Sequence, residues 1–354
     1  MSASAAEQAV RAAFAEQAGW CRGLNSPLTA LVCELLATRG WPEGEVARRL
    51  RQWVGDPRPS GDAVPLRLCG GLHAMVRNGS AVDLAACYPP NPFPESDQLA
   101  AAIDTAMAST ALALWLDRPP QTNEVGRANA LFAGLLAFVD RFPLPVVLFE
   151  LGASAGLNLR MDRFGYDLGG LITGDPQSPL QLKPEWHGPL PPASRIDVIE
   201  RHGVDLTQLN PALDGHRLLA FVWADQLRRI VQLEAALQVA RLNPVKVDAD
   251  DAAQWIEQHL VSPQSESTSR LIYHSIAFQY FPPGTQARVT AAIEQAGAKA
   301  TEMTPIGWLR FERSPSEQDP TLRLRIWPGD EDLLLATCHP HGAHINWLAS
   351  APTR

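Results

Sequence analysis

The sequence predicts an α/β fold: an all-helical N-terminal part, then a mostly parallel, doubly wound sheet that ends in an antiparallel hairpin. Three observations indicate this. Residues 1–142 are rich in alanine and leucine at helical spacing. A short apolar run at 146–151 then ends in a turn of small residues. Beyond it, strand and helix patterns alternate, as they do in parallel α/β sheets.

Helical periodicity predicts five helices before the sheet and three within it. In chain order they are Ala5–Ala18, Leu28–Ala37, Gly44–Trp53, Leu99–Leu116, Val125–Phe142, Phe221–Ala240, Ala252–Leu260 and Gln286–Ala296. We therefore divide the chain into a helical subdomain, 1–142, and an α/β domain, 143–354. A proline- and glycine-rich stretch at about 160–195 indicates an insertion in the second domain.

Short apolar or β-branched runs predict the strands. They are 146–151, Arg195–Ile199, Val245–Val247, Ser269–Ala277, Ala300–Met303 with Trp308–Arg313, Leu322–Trp327 and Leu333–Cys338. The turn sequence Pro328-Gly-Asp-Glu-Asp332 joins the last two as a hairpin. We expect one reversed edge strand.

The stretch Phe149-Glu-Leu-Gly-Ala-Ser-Ala-Gly-Leu-Asn158 predicts a strand, a tight turn and a helix that begins near Leu157. Glycines at 152 and 156 would let a ligand approach the backbone, and the helix would direct unpaired amides at it. The glycines are four residues apart, which does not fit a nicotinamide or flavin fingerprint.

Two other interpretations of this turn compete. Gly152-Ala-Ser-Ala-Gly156 fits the nucleophile turn of a serine hydrolase, with Ser154 as nucleophile. It also fits the adenosylmethionine loop of Rossmann-like methyltransferases, with Ser154 in place of the middle glycine. A hydrolase would carry several strands and an oxyanion loop before the turn, and residues 1–142 offer neither. Chain order therefore favours the methyltransferase plan.

Further motifs extend this similarity over most of the chain. They are Cys69-Gly-Gly-Leu-His-Ala-Met-Val, Gln121-Thr-Asn-Glu-Val-Gly-Arg127, Phe149-Glu-Leu-Gly-Ala-Ser-Ala-Gly-Leu-Asn-Leu159, Arg201-His-Gly-Val-Asp-Leu, Ile326-Trp-Pro-Gly and Cys338-His-Pro-His-Gly342. Together they resemble a bacterial family of unknown function whose C-terminal part looks like a class I methyltransferase. The resemblance implies a Rossmann-like fold and S-adenosylmethionine as cofactor, with S-adenosylhomocysteine as product.

The resemblance also implies roles for individual residues. The methionine part of the cofactor would lie among Glu150, Gly152, Ser154, Gly156 and Asn158. A carboxylate at the end of the second strand would accept hydrogen bonds from the ribose hydroxyls, and Asp205 has better local context there than its rival Asp175. The acid that contacts adenine would be Asp250 or Asp251. Helix capping is the alternative role for these aspartates.

The candidates for the reaction lie after the fourth strand and before the sheet. His274 and Ser275 would border the sulfonium, and His274 would be the base if the acceptor must lose a proton. The alternative is a strand histidine that bonds to the backbone. Asn123, Glu124 and Arg127 fit one helical face, either as a lid in which Glu124 acts in catalysis and the other two bind substrate, or as an ordinary helix start.

Two histidine features remain. His73 is a weaker candidate for substrate binding. His339, His341 and His344 lie in one loop, but this spacing does not fit a closed zinc site, so we assign no metal. With Ser154 and Asp330 or Asp332, one of these histidines would complete a hydrolase triad, a pattern easily met by chance.

The composition of the chain limits the partners and the cellular location that we expect. Thirty basic against 38 acidic residues give a formal charge of −8, which disfavours nucleic-acid binding. The five cysteines are odd in number and scattered, which favours reduced thiols in the cytoplasm. No apolar run is long enough to span a membrane. The sequence thus predicts a methyltransferase-like protein acting on a small or medium acceptor. The alternative class is a non-catalytic cofactor-binding or interaction protein on the same fold, and the oligomeric state is left open.

Overall fold

A computed structural model describes residues 4–313 and 319–349 of the chain. The helices are α1 Ala5–Gly23, α2 Pro27–Thr38, α3 Glu45–Arg51, α4 Val64–Arg77, α5 Val82–Ala85, α6 Ser96–Met107, α7 Thr110–Ala113, α8 Ala128–Arg141, α9 Gly215–Ala220, α10 Leu227–Leu242, α11 Ala252–Val261 and α12 Pro283–Gly297. Short 3₁₀ helices lie at Leu114–Asp117, Val125–Arg127, Asn158–Arg163 and Phe278–Tyr280.

The strands are β1 Val146–Leu151, β2 Gly165–Leu168, β3 Leu171–Gly174, β4 Gln181–Leu182, β5 Glu185–His187, β6 Val198–Asp205, β7 Val247–Ala249, β8 Ser269–Ser275, β9 Ile306–Glu312, β10 Thr321–Trp327, β11 Glu331–Cys338 and β12 His344–Trp347. They form two sheets. Nine strands pair in the order β5-β12-β11-β10-β9-β8-β1-β6-β7, and β3-β2-β4 form a small sheet.

Two compact units share the chain. A helical unit contains Met1–Thr122 and Asp214–Val231, and an α/β unit contains Asn123–Leu213 and Gln232–Arg354. The helical unit thus takes a second segment from the middle of the chain. The predicted division at 142 differs from this one because α8 packs on the sheet. A Cβ atom at Gly134 of α8 would lie 2.6 Å from the Leu309 side chain in β9.

The helical unit is built around one apolar core. Ser26, the residue before α2, and the backbone N–H of Leu28 both donate to Asp225, the latter over 2.7 Å. Asp225 therefore satisfies donors at the start of α2 that have no partner within the helix. The five helices predicted before the sheet are present, although the predicted fourth is broken into α6, α7 and a 3₁₀ turn.

Helix α4 was not predicted, because two adjacent glycines interrupt its pattern. A Cβ atom would lie 2.7 Å from the Phe221 ring at Gly70 and 2.6 Å from Leu112 at Gly71. Neighbouring side chains thus fill the space that other residues would need. Glycine here permits close packing, although it lowers intrinsic helix propensity.

The large sheet confirms the prediction of a mostly parallel α/β architecture with an antiparallel hairpin near the C-terminus. Strands β7, β6, β1, β8 and β9 are parallel neighbours, and β10 pairs antiparallel with both β9 and β11. The prediction of one reversed edge strand is wrong, since β10, β12 and β5 all run opposite to β1. The predicted strand Ala300–Met303 is also absent, and the 160–195 stretch forms the small sheet and β5.

Two faces of the large sheet are covered differently. Helices α11 and α12 pack with Phe149, Ile272 and Trp308 in one buried cluster. On the opposite face, a Cβ atom at Gly307 would lie 2.8 Å from the Phe138 ring of α8. Within the described residues no single helix is both long and apolar enough to cross a membrane. One pair, Ser96–Met107 with Thr110–Asp117, meets that test jointly but is bent by 85°.

Candidate functional site

Polar residues gather where the parallel strands of the large sheet end. We call this region the carboxyl edge: the loop Gly152–Leu157 after β1, Asp205 at the end of β6, Asp250 and Asp251 after β7, and Ser275–Phe281, which begins with the last residue of β8. From β1 the chain builds outward to β6 and β7 on one side, and then returns to β8 and β9 on the other. Open parallel sheets bind ligands at such a reversal of strand order.

The loop after β1 is a tight turn held by its own backbone. Gly152, Ser154 and Gly156 have φ values of +72°, +53° and +65°. The N–H groups of Gly152 and Ala153 both donate to the Val204 carbonyl over 2.9 Å. Because positive φ is costly for a residue with a side chain, Ser154 is held there by its surroundings.

The loop differs from the prediction in two respects. The segment that follows is a six-residue 3₁₀ helix, Asn158–Arg163, and the Leu157 N–H donates to Asn123 Oδ1 over 2.8 Å. A helix does begin near Leu157, as predicted, but it is of the 3₁₀ type, and the Leu157 amide is paired with a side chain rather than open to a ligand. Protein side chains also explain the glycines, since a Cβ atom would lie 2.6 Å from Ala277 Cβ at Gly152 and 2.8 Å from Val247 Cγ2 at Gly156.

Glu150 is a buried acid at the end of β1. Its side chain is 1 % exposed, and Oε2 accepts a hydrogen bond from the Tyr273 hydroxyl over 3.3 Å. Burial raises the pKa of Glu150 to about 8, against smaller opposing effects of the Tyr273 hydrogen bond and two arginines. At neutral pH this carboxyl is mostly protonated, so it can donate as well as accept a hydrogen bond.

Asp205 links two strand ends. Its Oδ2 accepts from the Ser154 N–H and its Oδ1 from the Thr207 N–H, both over 2.9 Å. Burial raises its pKa, and these two hydrogen bonds oppose the shift. Asp175, the rival for the ribose role, follows β3 of the small sheet and accepts from the Gln177 N–H. Of the two, only Asp205 lies at the carboxyl edge.

The two acids after β7 differ in the hydrogen bonds that their carboxylates accept from the protein. Asp251 is the N-cap of α11, where its Oδ1 accepts from the N–H groups of Ala253 and Gln254. Among the residues that the structure describes, Asp250 Oδ1 accepts only from the N–H of Asp251, over 2.8 Å. The capping role thus describes Asp251, and Asp250 has more remaining acceptor capacity.

His274 lies in the core with both ring nitrogens occupied. Nδ1 is 2.7 Å from Glu312 Oε1, and Nε2 accepts from the Trp308 indole N–H over 3.1 Å. The ring is 1 % exposed and stacks on Phe278. A base needs a nitrogen that can reach a substrate proton, so this geometry does not favour His274 as a base. Ser275, at the end of β8, is 9 % exposed.

Residues 123–127 are joined to three loops of the α/β unit. Asn123 holds the Leu157 N–H, and the Glu124 carbonyl accepts from Asn158 Nδ2 over 3.3 Å. Arg127 donates to the backbone carbonyls of Ser275 and Pro340. Glu124 Oε1 accepts from the Gly126 N–H at the start of a 3₁₀ turn. The contacts of Asn123, Glu124 and Arg127 with the loops hold those loops in place around the carboxyl edge. The bond between Glu124 and Gly126 is the internal bond of an ordinary helix start.

The remaining histidine candidates lie elsewhere. His73 belongs to the helical unit, where Nδ1 lies 2.9 Å from the Val222 carbonyl and burial lowers its pKa to about 4. The rings of His341 and His344 lie 5.3 and 5.2 Å from His339. Over residues 4–313 and 319–349, no group of histidine, cysteine and acidic side chains is arranged to hold a metal ion.

Within residues 4–313 and 319–349, no serine-hydrolase site is assembled around Ser154. Ser154 is 4 % exposed, and its Oγ has no hydrogen-bond partner among the residues that the structure describes. Asp330 and Asp332 are bound instead to Arg325 and Arg310. The serine therefore lacks the histidine that would activate it.

A family model described as "Uncharacterized protein conserved in bacteria (DUF2332)" matches residues 11–347. The chain belongs to this family. A comparison with curated proteins found no match. Membership in DUF2332 supplies no reaction, so any function must be argued from the site itself.

Sequence reasoning missed two site residues of this DUF2332 member, Tyr273 and Glu312. Each lies on a strand that was predicted, but its hydrogen-bond partner depends on which strands pair. Tyr273 is opposite Glu150 because β8 pairs with β1, and Glu312 reaches His274 because β9 pairs with β8, with His274 opposite Arg310. The available signal was an acid at the end of a buried strand pattern. A single sequence does not state which strands are neighbours.

Proposed function

We propose that this protein binds S-adenosylmethionine at the carboxyl edge and transfers its methyl group to a small or medium acceptor. One observation carries the proposal. The parallel order β7-β6-β1-β8-β9 brings a glycine turn and two strand-end acids to one edge of the sheet. This is the arrangement expected of a Rossmann-like nucleoside site.

The free polar atoms beside the loop suit such a ligand. Ser154 Oγ and Asn158 Oδ1 are buried and have no hydrogen-bond partner among the described residues. Unpaired buried polar atoms are costly, so a bound group that donates hydrogen bonds to them would be stabilised. The ammonium group of the methionine part is such a donor, and Asp205 and Asp250 would accept from ribose and adenine.

The loop favours a nucleoside over a phosphate-bearing cofactor. The N–H groups of Gly152, Ala153, Ser154, Gly156 and Leu157 are all donated to protein acceptors. Phosphate-binding loops keep such N–H groups for the anion. Adenosylmethionine has no phosphate.

The cofactor would supply an activated methyl group, and the protein would supply alignment. Methyl displacement depends mainly on holding the acceptor atom in line with the methyl. The segment Ser275–Phe281 is adjacent to the loop, since a Cβ atom at Gly152 would touch Ala277. Because His274 is occupied, we favour an acceptor that needs no histidine base.

Calorimetry with adenosylhomocysteine tests the proposal. We expect binding by the wild type, and Asp205→Ala should weaken it by about 1–3 kcal/mol because a charged acceptor is lost. Asp205 also holds the loop, so Asp250→Asn provides a second variant, expected to weaken binding by about 1 kcal/mol. Glu302→Gln, at an exposed acid in a turn, is the control.

If neither adenosylmethionine nor adenosylhomocysteine binds, the proposal fails. Binding that Asp205→Ala and Asp250→Asn leave unchanged would remove the assigned nucleoside contacts. Binding without methyl transfer would favour the second candidate, a non-catalytic cofactor-binding protein. The occupied ring nitrogens of His274 are the observation in favour of that candidate.

A further inference from the structure

The α/β unit contains an apolar cavity of about 420 Å³ that the proposed function does not use. Most of its lining is aliphatic or aromatic. The lining residues are Ala137, Asp140, Arg141, Pro192, Leu324, Ile326, Glu331, Leu333, Leu334, Leu335, Trp347 and Ala349. Small-molecule sites are mostly apolar cavities of roughly 300–1,000 Å³ with a few polar groups, and this cavity fits that description.

The cavity forms where α8 stops covering the sheet. Leu324, Ile326 and Trp347 are almost fully buried yet line it, and α8 ends at Arg141. Its strand floor is irregular, because the pairing of β10 with β11 shifts register between Leu322 and Arg323. The shift leaves an unpaired residue on β11, and such bulges redirect the side chains around them.

Leucines at the mouth are exposed to water. The lining residues Leu333 and Leu334 are 39 % and 37 % exposed. Exposed leucines that belong to the lining of an apolar cavity leave it open to an apolar ligand from solvent. An apolar cavity of smaller volume can hold a hydrocarbon.

Arg141 supplies a cation in the lining. Its guanidinium lies 5.1 Å from the centre of the Phe142 ring, and it makes no ion pair with a carboxylate in the part of the chain that the structure describes. The neighbouring Asp140 accepts a hydrogen bond from the Ser194 hydroxyl. A guanidinium with this freedom recognises carboxylates by paired hydrogen bonds.

We propose that this cavity binds a single-chain amphiphile with a carboxylate head, such as a medium-chain fatty acid. The hydrocarbon chain contacts the leucines and Trp347, and Arg141 binds the carboxylate. The two acids of the lining, Asp140 and Glu331, would instead attract a cationic head, and the experiment separates these two chemistries.

Calorimetry on the full chain would compare dodecanoate, dodecanol and dodecyltrimethylammonium, each below its micelle concentration. We expect dodecanoate to bind at one site and tightest of the three. Arg141→Gln should weaken dodecanoate about tenfold or more and leave dodecanol unchanged. Arg241→Gln is a matched control, since Arg241 is also an exposed last-turn arginine, in α10.

Filling the cavity tests its location. Ala137→Phe should abolish binding of both dodecanoate and dodecanol, and Ala349→Phe provides the same test outside a helix if the first variant folds poorly. Three results would overturn the proposal: no saturable dodecanoate binding, tighter binding of the cationic amphiphile, or dodecanoate binding that both filled variants retain.

Discussion

Glu150 shows how burial changes the chemistry of a single side chain. Its pKa is raised from 4.5 to about 8, so the folded state holds a proton that the unfolded state loses above pH 4.5. The proton on Glu150 therefore contributes to the stability of the folded state. That contribution is fully present below pH 4.5 and is lost as pH rises towards 8. Between these pH values, the free energy of unfolding should decrease by up to about 1.4 kcal/mol per pH unit.

Glu150→Gln should remove this slope, because an amide does not titrate and its oxygen can still accept from Tyr273. Urea unfolding at pH 5.5 and 8.5 measures the effect, with Glu302→Gln as control. We expect Glu150→Gln to be more stable relative to wild type at pH 8.5 than at pH 5.5. An equal difference at both pH values would contradict the protonated state assigned to Glu150.

Glu312 is the opposite case. Burial alone would raise its pKa, but hydrogen bonds from His274 and the N–H groups of Ala277 and Phe278 outweigh burial and lower it. Its stabilising effect is therefore present above the unfolded pKa of 4.5 and lost as pH falls through the lower folded value.

Glu312→Ala should destabilise the protein by about 2–4 kcal/mol, since it leaves several buried donors unpaired. Glu312→Gln keeps an acceptor and should cost less. Denaturant unfolding compares the two, and equal small losses would show that the 274–278 segment does not depend on this acid.

At the residue scale, the family resemblance predicted that Asp205 ends the second strand, and the structure places it at the end of β6. The sequence could not find the bonds His274–Glu312 and Glu150–Tyr273. These join residues 38 and 123 positions apart, respectively, through strand pairing. It also could not show that Asp251 is a cap and Asp250 is not, since both precede the same helix.

At the element scale, Gly126 lets a short 3₁₀ turn approach the loop before β12 closely. A Cβ atom at Gly126 would lie 2.2 Å from the His341 carbonyl oxygen. Gly126→Ala should therefore destabilise the α/β unit by about 3 kcal/mol or lead to insoluble protein. Gly284→Ala in α12 is the matched control, because nothing lies within 4 Å of its Cβ position.

Thermal melting of the two glycine variants gives the comparison. We expect Gly284→Ala to be neutral or stabilising by about 0.5–1 kcal/mol, since alanine favours helix. If Gly126→Ala has the same melting temperature as the wild type, the backbone of the 3₁₀ turn can move away from the loop before β12 at little cost in free energy.

Periodicity located the longer helices other than α4, and the core strands, because each is long enough to display a pattern. It missed the small sheet and β5, whose strands have two to four residues and no readable alternation. It also placed the second strand too early, at Arg195–Ile199, whereas β6 runs from Val198 to Asp205. Charged residues at 200–202 interrupt the apolar run there.

At the scale of the whole molecule, the two units are interleaved along the chain. The helical unit needs Asp214–Val231, which contributes Ala224 to its core, Phe221 against Gly70 and Asp225 at the start of α2. Residues 1–122 alone should therefore show a poorly dispersed NMR spectrum and non-cooperative melting. A peptide of residues 214–231 should restore dispersion, and a well-dispersed spectrum from residues 1–122 alone would contradict this.

This interleaving has a consequence for synthesis. A ribosome makes residue 231 only after β1 and β6 have been translated, so the first 122 residues are without their last core segment until the chain has grown from residue 122 to residue 231. In that interval the apolar surfaces of the first helices lack part of their covering. Nascent chains of this protein should accordingly depend on chaperones that shield hydrophobic surface before residue 231 leaves the exit tunnel.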